Sequence, residues 1–214
     1  MDNVYLLALL LVGLFALIVW SIYYVIRYRR ARTDTHAKLS DRDLLQRIDR
    51  QPDGFMTVRR LTETTQLNTV ESRTRLLELT AAGILEAGYN RQLVNHFTLR
   101  QPLDIREPPA LSAAPFLTVE DILSLFEHYD FRPRDQDLIV ATGLPMSLIH
   151  REMKYFAAEG IVDSLSFFAG VGKRSQRTYV LKEPYRSQPD NFRRRAETDD
   201  LELKTILRND NFIV

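Results

Sequence analysis

Four histidines, His36, His96, His128 and His150, and the acid pairs Asp135/Asp137 and Glu120/Asp121 are the residues that could carry acid–base or metal chemistry. None of the histidines has a second ligand at metal-binding spacing. The acid pairs fall where the first turn of a helix places carboxylates against the positive end of its dipole. Ala169-Gly170-Val171-Gly172 lacks the lysine-plus-hydroxyl ending of a phosphate loop, and no nucleophile elbow is present. The chain has no cysteine, which excludes a disulfide framework, a thiolate metal site and a cysteine nucleophile. With no convergent set of groups, the expectation is a protein that is not an enzyme and takes no cofactor or metal.

Recognition chemistry has more candidates. Lys173, Arg174, Gln176 and Arg177 follow flexible glycines, a combination suited to phosphate contact. Ser147, His150, Arg151 and Lys154, with Leu148, fall on the outward side of a helix expected at about 146–159. Earlier in the chain Arg73 and Arg91 hold comparable places, with Thr69, Glu71, Thr74 and Leu77 on the same helix as Arg73 and Arg59 and Arg60 on the helix before it.

These candidates recur because the elements that carry them recur. Sliding the sequence against itself by 77 positions matches Leu45 with Ile122, Ile48 with Leu125, Leu61 with Leu138 and Leu67 with Leu144. The match continues with Leu76 and Met153, Leu79 and Phe156, Gly83 and Gly160, Ile84 and Ile161, and Leu85 and Val162. Apolar positions and one glycine are what two versions of one core leave behind. The first copy, 38–100, reads as a helix after Ser40, a turn at Gln51-Pro52-Asp53-Gly54, a short helix at Val58–Thr65, a longer helix from about Thr69 to Ala82, then two strands. The second, 117–183, reads as a helix after Thr118, another from Pro133 to Thr142, a third at Met146–Glu159, then two strands. Pro102, Pro108, Pro109 and Pro115 make 101–116 a linker. Residues 184–214 read as a tail, either mobile or a docking segment, with a short amphipathic helix at 197–207.

At the other end, Val4 to Ile26 contains no charged residue, long enough as a helix to cross a bilayer core. Trp20, Tyr23 and Tyr24 fit a membrane interface, and Arg27, Arg29, Arg30 and Arg32 follow in the basic segment 27–37. The expectation is a single-pass membrane protein with its N-terminus outside, its other domains cytoplasmic and the lipid bilayer as a partner.

Helix, helix, turn, helix and two-stranded wing resembles the winged helix-turn-helix superfamily, most closely over residues 142–162. Such domains carry an apolar residue in the turn, further apolar residues nine and twelve positions on and a glycine at sixteen. Here these are Leu144, Met153, Phe156 and Gly160, and Leu67, Leu76, Leu79 and Gly83. The first copy departs at Ser72, where an apolar residue is usual and the second has Ile149. The expected fold class is thus α+β, mostly helical: one transmembrane helix, two winged-helix domains and a tail. The resemblance implies DNA contact by Ser147, His150, Arg151, Lys154, Lys173, Arg174, Gln176, Arg177, Arg73 and Arg91, hence a transcriptional regulator on double-stranded DNA. Near-neutral copies, about +2 over 37–100 and about −2 over 117–183, together with Glu71, Leu77 and Leu148, fit equally an adaptor that binds a membrane-proximal protein and no DNA.

Overall fold

Ser40 opens the first helix, α1 (Asp41–Asp49), by accepting the Asp43 amide on its hydroxyl at 3.0 Å, and Leu44, Leu45 and Ile48 supply the buried face. The chain, a computed structural model, is described at residues 36, 38–92, 94–104, 106–112, 117–168, 174–199 and 201. It divides into two compact units, Met1–Leu39 and Ser40–Val214, and nearly all described residues belong to the second. Among the described residues this is an α+β protein with seven helices and two small sheets.

After α1 come β1 (Phe55–Met56), α2 (Val58–Thr64), α3 (Thr69–Ala81), β2 (Leu85–Tyr89) and β3 (Asn95–Leu99). The strands form one antiparallel sheet in the order β1-β3-β2, with Met56 opposite Phe97 and Leu85 opposite Leu99. The two-residue β1 escapes sequence reading because it is too short to show alternation. Asn68 and Glu71 close a capping box at the start of α3, so the Glu71 carboxylate is engaged by its own helix. Ser72, the departure from the apolar pattern, is fully buried and its hydroxyl accepts that of Thr62 at 3.1 Å.

The second half runs α4 (Val119–His128), α5 (Asp135–Thr142), α6 (Met146–Ala158), β4 (Val162–Phe168), β5 (Arg174–Leu181) and α7 (Pro189–Asp199). Pro133 lies outside α5: its carbonyl accepts the Tyr179 amide at 2.9 Å, and Arg134 bridges to Thr178 where the first half has β1. Both copies end their third helix alike. Ile84 N–H reaches Leu79 and Ile161 N–H reaches Phe156, while Gly83 and Gly160 take φ of 79° and 72°. This left-handed stop suits glycine and satisfies the last carbonyls.

The linker is tied down where it is described. Asp121 accepts the Ser112 amide at 2.8 Å and its hydroxyl at 2.5 Å while also closing the Thr118 capping box. Gln101 accepts from the Arg134 guanidinium, and the Pro102 carbonyl accepts from Gln136 at 3.0 Å. α7 starts at Pro189, earlier than the helix expected at 197–207, most of which lies outside the described residues. It buries Phe192 edge-on against Phe156, and the Tyr155 hydroxyl donates to the Leu201 carbonyl at 2.8 Å. Residues 202–214 lie outside the described residues.

The membrane expectation is corrected. No helix among the described residues is long and apolar enough to cross a membrane. The longest, α3 and α6, have 13 residues each, which at ~1.5 Å per residue is well short of a ~30 Å hydrocarbon core. The span expected at 4–26 and the interface set Trp20, Tyr23, Tyr24, Arg27, Arg29, Arg30 and Arg32 lie outside the described residues. The single-pass architecture and the localisation built on it are therefore set aside.

Asp41 joins the two halves. Asp41, at the start of α1, is 3% exposed; its Oδ1 meets Arg75 of α3 at 2.8 Å and its Oδ2 accepts the Met146 amide of α6 at 2.9 Å. Removing one partner of a buried ion pair strands the other. Arg75→Ala is therefore expected to lose about 3–5 kcal/mol of stability in urea unfolding. The added effect of Asp41→Ala should be much smaller in that background than alone.

Candidate functional site

The two third helices, α3 and α6, are related by the sequence repeat, yet their surroundings differ. In the second half the turn into α6 is covered. Asp41 caps the Met146 amide, and the adjacent Arg42 donates from Nη2 to the Ala141 carbonyl at 2.6 Å. A Cβ at Gly143, which has φ of 70°, would meet the Arg42 guanidinium carbon at 3.3 Å. Glycine serves here both for its left-handed backbone and for close approach. A carboxylate and a guanidinium from α1 thus occupy the N-terminal end of α6, whose unpaired amides and positive dipole favour an anion.

The expected contact residues of this half fare unevenly. Ser147, Arg151 and Lys154 are exposed, though Arg151 pairs with Glu152 at 3.2 Å. His150 is held by Asp135, Nε2 to Oδ1 at 3.0 Å. Asp135 is almost wholly buried and also accepts the Tyr179 hydroxyl at 2.9 Å and the Arg177 amide at 3.0 Å. Burial and that carboxylate push the Tyr179 hydroxyl well above the usual phenol range. Gln176 is not a surface residue: it is 4% exposed and donates to Gln136 at 3.2 Å and Gln101 at 3.3 Å. Arg177 is exposed. Lys173 and the Arg174 side chain lie outside the described residues.

The equivalent face of the first half is open. Between α2, α3 and the start of β3 lies a groove of roughly 700 Å³ lined by Thr57, Val58, Arg59, Thr62, Glu63, Thr69, Arg73, Val94 and Asn95. Arg59 bonds Glu63 one turn away at 2.8 Å, both exposed. Arg73 is exposed and makes no hydrogen bond or ion pair with any described residue. On the same helix face Val70 is 74% and Leu77 43% exposed, and Tyr89 at the end of β2 and Val94 just before β3 are exposed as well. Arg91 is exposed in the turn between β2 and β3, where Asn90 accepts the Val94 amide at 2.9 Å. No group of His, Asp or Glu among the described residues is placed to hold a metal ion.

Sequence reasoning missed the Asp41 and Arg42 contacts and most of the groove. One signal was available: Ser72 and Arg75 interrupt an otherwise apolar face with Leu76 and Leu79, which marks polar groups turned inward. The position matching Arg75 in the second half is Glu152, 3% exposed, whose Oε2 has no hydrogen-bond partner. Burial raises its carboxyl above the ordinary 4.5, against the opposing bond from Arg151. A carboxyl with a raised folded pKa loses stability for the fold as pH climbs from the unfolded value through the folded one. Glu152→Gln should therefore raise the melting temperature at pH 7, with the gain shrinking away below about pH 4.5. Gly143→Ala should cost about 1–2 kcal/mol in denaturant unfolding, from the left-handed backbone alone.

No protein-family model matches the chain, and no curated protein matches it.

Proposed function

We propose that this chain is a non-catalytic protein-interaction module, built of two winged-helix-like halves locked together, that docks a partner protein on the open face of α3. The order helix, strand, helix, helix, strand, strand and the β1-β3-β2 sheet support the winged-helix reading of the first half. The observation that carries the functional reading is the closure of α6: Asp41 sits on the Met146 amide, so a negative group already fills the place where this type of domain meets DNA. Exposed Val70 and Leu77 on α3 are surface that a protein covers well, and phosphates gain nothing from them.

A second reading, duplex contact by the first half, has the exposed Arg73 and Arg91 in its favour. The two readings separate in one titration. The full chain is expected to show no binding to a labelled random-sequence duplex at low salt, even at tens of micromolar protein by order of magnitude. Micromolar or tighter binding that weakens steeply with salt, and that disappears in Arg73→Ala/Arg91→Ala, would show the chain to be a DNA-binding protein instead.

A further inference from the structure

We infer that the groove between α2, α3 and β3 seats a short acidic segment of the partner protein, one in which an apolar side chain stands beside a carboxylate. The inference rests on the interaction-module reading and names the chemistry of its partner. The lining includes Val58 and the exposed Val94, and Val70 is exposed on α3, one turn before Arg73. Around them stand three donors with no side-chain partner among the described residues: the Arg73 guanidinium, the Asn95 amide and the Thr69 hydroxyl.

Charge selects the occupant. The carboxylate in the groove wall, Glu63, is already neutralised by Arg59, so Arg73 leaves the groove with one net positive charge. A guanidinium takes a carboxylate through two parallel bonds, and it repels a basic segment. The space admits a few side chains and a length of extended backbone, and its valines need a desolvating apolar group to cover them.

Arg73 has no partner among the described residues to lose, so substitutions there leave the fold intact, and thermal unfolding of each variant checks this. The probe is a phage-displayed library of random dodecapeptides selected on the full chain, followed by anisotropy with the enriched peptides. Enriched sequences should place Asp or Glu next to Leu, Ile or Phe, and bind more weakly as salt rises. Arg73→Glu should weaken them at least about tenfold, Arg73→Lys less, and Val70→Asp should weaken them as well. Enriched peptides without acidic residues, or indifferent to Arg73→Glu, would overturn the groove assignment while leaving the interaction module standing. If no peptide is enriched and the chain instead binds duplex DNA through Arg73, both the assignment and the module reading fall.

Discussion

A buried carboxylate cannot stand alone, and Asp41 answers that constraint with one oxygen for each half of the molecule. Oδ1 faces Arg75 and Oδ2 faces the Met146 amide. Taking two charges out of water costs several kcal/mol per ion, so the pair with Arg75 is no large source of stability by itself. Its effect is positional. The charge on Asp41 is tolerable only where both partners meet it, which fixes α1 against α3 and, through the same group, against the first turn of α6. Arg42, one residue on, repeats the tie by reaching the Ala141 carbonyl across Gly143.

From that junction the difference between the two copies follows. Where α1 lies over the start of α6, that helix cannot offer its N-terminus to anything else, and His150 and Gln176 are drawn into the buried set around Asp135 and Gln136. No described residue of another helix caps α3 in this way, and Val70, Arg73 and Leu77 are exposed. Two copies of one plan therefore differ at the start of this helix: α6 has its first amide capped by Asp41 of α1, whereas α3 is capped by its own Asn68. The inward positions Arg75 and Glu152 show the same divergence in the core. Arg75 has the acid of α1 to meet it. Among the described residues Glu152 has only the adjacent Arg151, on one oxygen.

The parts legible in the sequence were those written in local spacing. Leu45 with Ile122, Leu76 with Met153 and Leu79 with Phe156 recur at one offset because each copy buries the same positions, and all six side chains are within 1–2% of full burial. Gly83 and Gly160 were legible because a left-handed helix stop needs glycine. Leu144 fitted the pattern yet is only half buried. The strand β1 is two residues long and leaves no periodicity, and α7 hides its start behind Pro189. The site was far less legible. Arg73 was marked for the helix face it does occupy, whereas Gln176 lies in a hydrophilic run and is nonetheless buried. Its partners, Gln101 and Gln136, are 75 and 40 residues away, beyond the reach of any local pattern.

The same remoteness bears on how the chain acquires its shape. The Asp41 bond to Met146 spans 105 residues, so in a nascent chain the whole sequence of the first copy exists well before the partner for Oδ2. Loop closure over such a distance is slow relative to helix formation. Until α6 arrives, one oxygen of Asp41 and the guanidinium of Arg42 face water, and the end of α1 is an unfinished docking edge.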